Sequence, residues 1–222
     1  MNEAPLGLDI YLLPTYFVDS DHPDVIAYAK SIVGEEADPL RQAILLYKAV
    51  RDDFKYNPYN INLNHFQLKA STLLNRSSKQ GYCTEKSCLY NAVLRVVGIP
   101  SRFHFFNVRN HIGVEKYYEL LQTDVLAYHA CSEVFLNGKW VKATPAFNKE
   151  LCMKTGVEVL EFDGVNDSIF QEYAPEGGVF MEYLADHGTC HDVPHDMFVK
   201  ALHDHYPHFF LERQDFCMTL DK

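Results

Sequence analysis

Two side chains in this sequence have the types needed for nucleophilic chemistry at a carbonyl group, Cys83 and His129. Cys83 stands where a helix is expected to begin, and there the unpaired N–H groups of the first turn and the positive end of the helix dipole favour a thiolate. An imidazole is the usual base for such a thiol. Taken singly, a cysteine is more typical of a buried core and a histidine of a hydrogen-bonded structural site, so the assignment depends on what surrounds them.

The helix that Cys83 opens is predicted from apolar residues that recur at helical spacing up to Val96. Gly98 and Pro100 then end it. Upstream, the same periodicity and turn signals predict further helices, from the Pro-containing turn at residues 20–24 to Gly34, from 38–39 to about 54, and from 68 to 74.

Downstream the period changes from helical to alternating, which indicates strands at residues 101–108 and 125–136. Asn137-Gly138 is a strong hairpin signal into a third strand at 139–144. Helices followed by an antiparallel sheet predict an α+β fold with the candidate nucleophile at a helix N-terminus. Alternation puts His129 and Glu133 on one face of the second strand, and a helix packed against that face would bring Cys83 to His129.

Length and composition bound the remaining possibilities. A chain of 222 residues, 47% hydrophobic and 23% charged, predicts a single domain over 1–222, with a core at about 40–150 and a C-terminal extension at 151–222 packed on it. The formal charge of −10 disfavours nucleic acid and acidic membrane surfaces as partners. No apolar run is long enough for a membrane span and no secretory signal is evident, so a cytoplasmic location with reduced thiols is expected.

The segments around Cys83 and His129 resemble the transglutaminase-like cysteine superfamily over roughly residues 70–148. The resemblance implies a papain-like core in which a Cys-His-Asp triad performs acyl transfer or amide hydrolysis on a protein, peptide or other amide-bearing substrate, without a cofactor. Cys83 would be the nucleophile and His129 the base. The matching pieces are Gly81-Tyr82-Cys83, Leu-Arg-Val-Val-Gly-Ile-Pro-Ser-Arg at 94–102, His-Ala-Cys-Ser-Glu-Val-Phe at 129–135 and Gly-Lys-Trp at 138–140, with an upstream run at 47–56 similar to bacterial members.

The third triad position departs from the pattern of that family. The family's Asp typically stands four residues after the tryptophan that is Trp140 here, and this position holds Thr144. A threonine can accept a hydrogen bond from an imidazole but cannot offset the charge of an imidazolium. Asn148 is the rival for the orienting role, since an amide orients the histidine in papain-like proteases. Cys131 is a second departure, where relatives often have an aromatic residue.

Two functions follow from these residues. The first is a cysteine protease, amidase or acyltransferase that uses Cys83, His129 and Thr144. The second is a catalytically weakened or inactive binding or scaffold domain of the same fold. Either Gln80 or Tyr82 could donate a hydrogen bond to an oxyanion, or could be an ordinary loop residue.

The C-terminal region concentrates residue types that bind metals, but their spacing matches no recognised zinc or calcium pattern. The prediction is therefore no metal, a histidine-rich solvated helix and loop, and a last helix from Pro194 to Tyr206 capped by Asp192. The potential ligands are His187, Cys190, His191, Asp192, His195, His203, His205 and His208.

Overall fold

A computed structural model describes residues 7–59, 61–111, 118–119, 121–170 and 181–210. Helix α1 spans Pro23–Val33 and helix α2 spans Pro39–Asp53. Both begin with a proline, which needs no intrahelical N–H partner in the first turn. The side chain of Asp38 caps α2 by accepting from the Leu40 N–H at 3.3 Å, so the helix starts where its sequence predicts.

The candidate nucleophile is delivered by a short segment between two helices. Helix α3 spans Ala70–Asn75, and strand β2 at Gln80–Gly81 pairs in parallel with strand β1 at Lys55–Tyr56. Helix α4, Cys83–Val96, follows directly and is buried along nearly its whole length. It is the central helix of the core, in contact with α1, α2, α3 and the sheet.

A four-stranded antiparallel sheet packs on these helices. Its strands are β3 at Ser101–Asn110, β4 at Val125–Leu136, β5 at Lys139–Ala143 and β6 at Met181–Cys190, in the order β5-β4-β3-β6. Asn137 and Gly138 both have positive φ, of 51° and 83°, as a tight two-residue hairpin requires. The α+β prediction and the hairpin are confirmed.

Strand β6 and helix α5 at Lys149–Thr155 were absent from the sequence prediction, as were the two-residue strands β1 and β2. β6 is an edge strand whose residues are mostly exposed or half-buried, so it lacks the apolar alternation by which strands are recognised. The last helix, α6, spans His195–His205, close to its predicted range. The Asp192 cap is wrong, because the chain enters α6 through Pro194 without a side-chain cap. The Asp192 carboxylate instead accepts from the Phe17 N–H at 3.5 Å.

Helix α4 lies on the opposite face of the sheet from the one expected. The Ser101 hydroxyl in β3 donates to the Asn91 carbonyl in α4, and Ser101 pairs with Val134 of β4. Directly paired residues share a face, and neighbours along a strand alternate. The body of α4 therefore packs on the Val134 face, not on the Glu133 face. Cys83, at the very start of the helix, is the part of α4 that meets His129.

Candidate active site

The structure brings Cys83 and His129 together at the first residue of α4. Cys83 is only 9% exposed and His129 only 5%. Burial on its own raises the pKa of the Cys83 thiol, but the charge and hydrogen bond of His129 outweigh it. The Ala130 N–H and the Thr84 hydroxyl also hydrogen-bond the sulfur, with Thr84 Oγ1 at 3.9 Å from Sγ. The net result is a thiol pKa below its usual value.

The other described cysteines show the opposite behaviour. Burial raises the pKa of Cys88, Cys131, Cys152 and Cys190, and no histidine offsets it at any of these thiols. Cys190 is partly exposed, whereas Cys88 and Cys131 are fully buried. Within the described residues, Cys83 is therefore the one thiol whose surroundings favour the thiolate.

A buried network fixes the start of α4. The Tyr82 N–H donates to a carboxylate oxygen of Glu85 at 3.1 Å, and Glu85 pairs with Arg76 at 2.6 Å. A Cβ at Gly81 would lie 2.9 Å from Leu73 Cδ1 and 3.1 Å from Glu85 Oε2, so a larger residue here would force these side chains to move. The Arg76–Glu85 pair and the Tyr82 N–H bond hold the chain that leads into Cys83.

A buried lysine anchors the same turn to the rest of the molecule. The Lys86 ammonium donates to three backbone carbonyls, those of Arg51, Phe54 and Ala146, at 2.6 to 2.9 Å. Burial lowers the pKa of Lys86 to about 7. These bonds connect α4 to the end of α2 and to the segment between β5 and α5.

An irregularity in the sheet lies immediately before His129. Tyr128 has a left-handed φ of 53°, and the register of β3 against β4 shifts between Phe106 and Val108. The side chain of Asn107 accepts from the Tyr128 N–H at 3.0 Å and so stabilises this conformation. Such bulges redirect the side chains beside them and are frequent next to active sites.

The predicted third residue, Thr144, makes no hydrogen bond to the His129 imidazole within the described residues. Thr144 is 3% exposed; its N–H donates to the Ser168 carbonyl, and its own carbonyl accepts from the Tyr47 hydroxyl at 3.0 Å. The Asn148 side chain accepts from the Tyr56 N–H at 3.0 Å. Across the described ranges, neither Thr144 nor Asn148 hydrogen-bonds His129, and no carboxylate forms an ion pair with it.

The two candidate oxyanion donors differ in their availability. Gln80 uses its side-chain oxygen to accept from the Asn57 amide at 2.8 Å. The Tyr82 hydroxyl is buried, has no hydrogen-bond partner among the described residues, and belongs to a residue that lines the cavity beside Cys83. An unpartnered buried donor is costly unless a ligand or water satisfies it. Tyr82 is therefore the better placed of the two.

Helix α6 covers the cavity in front of the thiol. The cavity has a volume of about 40 Å³, which suits one or two water molecules. Phe198, Leu202 and Tyr206 come from α6 and the residue after it, and they line this space together with Cys83 and His129. The Tyr206 hydroxyl accepts from the Ala127 N–H at 2.7 Å and donates to the Val125 carbonyl at 2.9 Å. No sequence signal connected these residues with the site, because the contact spans about 80 residues.

The sequence model of the transglutaminase-like superfamily matches residues 26–145, which include both Cys83 and His129. The chain therefore belongs to the transglutaminase-like superfamily. A comparison with curated protein sequences finds no match. Among the helices of the described residues, none has both the length and the apolar character that a membrane crossing requires.

One solved structure supports the same fold, and two others show weaker similarity. A proposed cysteine protease from Cytophaga hutchinsonii is 16% identical, with a TM-score of 0.55 over 88% of this chain and 51% of that protein. This chain thus spans about half the length of that protein. An arylamine N-acetyltransferase from Mycobacterium abscessus is 18% identical, with a TM-score of 0.40 over 61% of this chain and 46% of its own. A proposed protease from Parabacteroides distasonis is 14% identical, with a TM-score of 0.38 over 58% of this chain and 26% of that protein.

Proposed function

We propose that this protein is a cysteine enzyme that cleaves or transfers acyl groups from amide bonds, with Cys83 as nucleophile and His129 as the proton carrier. The observation that carries the proposal is the pairing of a buried thiol, at the first residue of α4, with the imidazole of His129 beside the same cavity. That pairing lowers the pKa of the Cys83 thiol. Burial alone would have made this thiol inert, as it does at Cys88. Superfamily membership and the fold shared with a proposed cysteine protease support the same reaction class.

The first half of the reaction uses the ion pair of the two residues. The Cys83 thiolate attacks the amide carbonyl carbon, and the carbonyl π electrons move to the oxygen to form a tetrahedral oxyanion. The α4 N-terminus and the free Tyr82 hydroxyl offer hydrogen bonds to that oxygen. As the oxyanion collapses, the C–N bond breaks, the imidazolium of His129 protonates the departing nitrogen, and a thioester on Cys83 remains.

The second half regenerates the thiolate. His129, now neutral, accepts a proton from the incoming nucleophile as that nucleophile attacks the thioester carbonyl. Collapse of the second tetrahedral intermediate breaks the C–S bond and restores the thiolate and imidazolium. Water as nucleophile yields a carboxylic acid, and a primary amine yields a new amide. Hydrolysis is the simpler outcome, because the small cavity beside Cys83 already has room for water. Transfer to an amine would need an additional pocket for the amine.

The proposed substrate is a protein or peptide, and its binding requires α6 to move. Ligand pockets commonly measure about 300–1,000 Å³, far more than the space now present beside Cys83. Phe198, Leu202 and Tyr206 line this space, so a peptide that brings its carbonyl to Cys83 would meet them. Displacing α6 would break the two hydrogen bonds of the Tyr206 hydroxyl and uncover an apolar surface above the thiol.

Alkylation by iodoacetamide at a pH of about 6 tests the proposed nucleophile. We expect Cys83 to react at least about tenfold faster than Cys190, because a lowered pKa maintains the thiolate in acid. Cys190 is the control: its thiol is partly exposed, lies in strand β6 and has a raised pKa. His129→Ala should remove the advantage. Equal rates at both cysteines, unchanged by His129→Ala, would contradict the enzyme proposal.

A binding or scaffold domain is the second candidate function, favoured by the missing orienting group. In the parts of the chain that the structure describes, no side chain holds His129 in a fixed tautomer, and residues of α6 narrow the cavity beside Cys83. Casein offered with a fluorescent primary amine separates the candidates. Cleavage indicates hydrolysis and amine incorporation indicates transfer. If neither reaction occurs in a protein whose Cys83 still alkylates rapidly, the result favours the binding domain.

A further inference from the structure

Three metal-binding side chains from distant parts of the chain meet at the start of α6. They are His65, which begins a short 3₁₀ helix at His65–Leu68, and His195 and Asp196 in the first turn of α6. One ligand atom from each lies within 4.8 Å of the other two. The two imidazole rings are in contact, with centroids 3.6 Å apart, and the Asp196 carboxylate lies 3.8 Å from His195 Nδ1.

The hydrogen bonding of His195 leaves one nitrogen ready to bind a cation. Its Nε2 lies 2.8 Å from the Leu63 carbonyl oxygen, and a carbonyl can only accept. In the neutral ring the hydrogen is therefore on Nε2 and the lone pair is on Nδ1. That Nδ1 is buried and makes no hydrogen bond to any residue that the structure describes, and Phe17 stacks on the ring with centroids 5.7 Å apart. A metal-bound histidine commonly has this arrangement, with its second nitrogen bound to a carbonyl.

We propose that His65, His195 and Asp196 form a binding site for a divalent cation of the zinc type. Two imidazoles and one carboxylate suit Zn²⁺, which uses such sets of three ligands with one open position. Tetrahedral bonds of about 2.0–2.1 Å place neighbouring ligand atoms about 3.4 Å apart. His65 and Asp196 are both exposed, so their side chains can make this adjustment without disturbing the core. Ca²⁺ and Mg²⁺ prefer oxygen ligands and fit poorly.

The position of the site connects metal binding with the cavity beside Cys83. His195 opens the helix whose Phe198 and Leu202 line that cavity. His65 follows a segment that contributes Ile61 to the same lining. A bound cation would fasten this segment to the first turn of α6, and so hold α6 over the thiol. This consequence rests on the proposed function, whereas the metal site itself does not.

Titration calorimetry with Zn²⁺ on the Cys83→Ala protein tests the site. Removing the thiol eliminates zinc binding at the Cys83–His129 pair, which would otherwise confuse the result. We expect one zinc site in the Cys83→Ala protein, weakened at least about 100-fold by His65→Ala and about tenfold or more by Asp196→Asn. Both positions are exposed, so both variants should fold. His203→Ala is the matched control, as an exposed histidine on the same helix, and should leave the affinity unchanged.

Hydrogen exchange measures the effect of zinc on α6. Zinc should slow amide exchange over 195–206 in the Cys83→Ala protein and should have no effect there once His65→Ala is added. Zinc affinity that is equal in the His65→Ala and His203→Ala proteins, or no binding even at large excess of zinc, would overturn the proposed site. Specific zinc binding without slower amide exchange would support the metal site but refute the proposal that bound zinc stabilises α6. Loss of casein cleavage plays no part in this test.

Discussion

Two histidines on paired strands of the sheet have very different surroundings. His104 in β3 lies between two carboxylates, with Nδ1 2.8 Å from Glu133 and Nε2 2.7 Å from Asp186. His129 in β4 contacts the Cys83 thiol, and no described carboxylate contacts it. The residues are near neighbours, since His104 pairs with Cys131 and His129 pairs with Phe106. Their chemistry is decided by their partners rather than by their place in the sheet.

Under the proposed function, the contrast explains why His129 rather than His104 would carry the proton. Burial lowers the pKa of His104, but the hydrogen bonds and charges of Glu133 and Asp186 outweigh it, and the pKa is raised. A protonated imidazole held at both nitrogens is a fixed charge that joins β3, β4 and β6. Within the described residues, no carboxylate holds His129 in this way, which fits the proton-carrying role proposed for it. In consequence, no side chain among the described residues fixes the orientation of the His129 ring.

The largest expected effect comes from removing His129. His129→Ala should lower casein turnover by about 10³-fold, because both the thiolate and the proton transfer to the leaving nitrogen depend on the imidazole. Steady-state cleavage rates provide the measurement. His104→Gln is the matched control and should stay within a few-fold of the wild type. A similar loss of turnover in both variants, each still folded, would break the distinction between the two histidines.

The next largest effect is expected in the free energy of unfolding, at the cluster around His104. Glu133→Gln should lower the free energy of unfolding by about 3 kcal/mol, because it leaves Arg102 and His104 without their buried anion. Urea unfolding measures the loss. Thiol alkylation at Cys83 should remain rapid in the folded protein. Unchanged stability would show that this cluster contributes little, whereas slow alkylation would show that the two histidines are coupled.

A third prediction concerns a carboxylate added near His129, like the carboxylates that hold His104. Thr144→Asp should raise turnover about tenfold if the new carboxylate reaches His129, since it would orient the ring and stabilise the imidazolium. Thr144→Val, which keeps the shape and removes the hydroxyl, should stay close to wild type because the described hydroxyl does not bond His129. If Thr144→Asp folds but is no faster, position 144 does not face the imidazole productively. If Thr144→Val is inactive, threonine has the orienting role.

The smallest effect is the pH dependence of stability at the His104 cluster. A raised pKa means that the contribution of His104 is fully present below its ordinary pKa of 6.5 and is lost as pH rises through the folded value. The lowered pKa values of Glu133 and Asp186 give a contribution that is present above 4.5 and 3.8, and lost as pH falls through the folded values. The stability difference between wild type and His104→Gln should therefore be largest at about pH 4.5–6.5. A difference independent of pH would contradict this assignment.

Much of the fold could be predicted because its signals are local. The boundaries of α1 and α2 follow from prolines and caps, and the β4–β5 hairpin follows from Asn137-Gly138. Strand β6 could not be found in this way, because an exposed edge strand is paired through its backbone and shows little apolar pattern. The face on which α4 packs was also predicted wrongly, since alternation identifies two faces without telling which one a helix covers.

The sequence by itself determined that Cys83 starts a helix and that His129 lies in a strand before a tight hairpin, because both depend on short-range periodicity and turn chemistry. Only the tertiary structure decided which groups surround them. It placed two carboxylates at His104 and, among the described residues, none at His129; it also laid α6 beside the cavity and joined His65 to His195. These contacts join residues about 30 to 130 positions apart, and burial and pairing at such separations depend on how the whole chain packs.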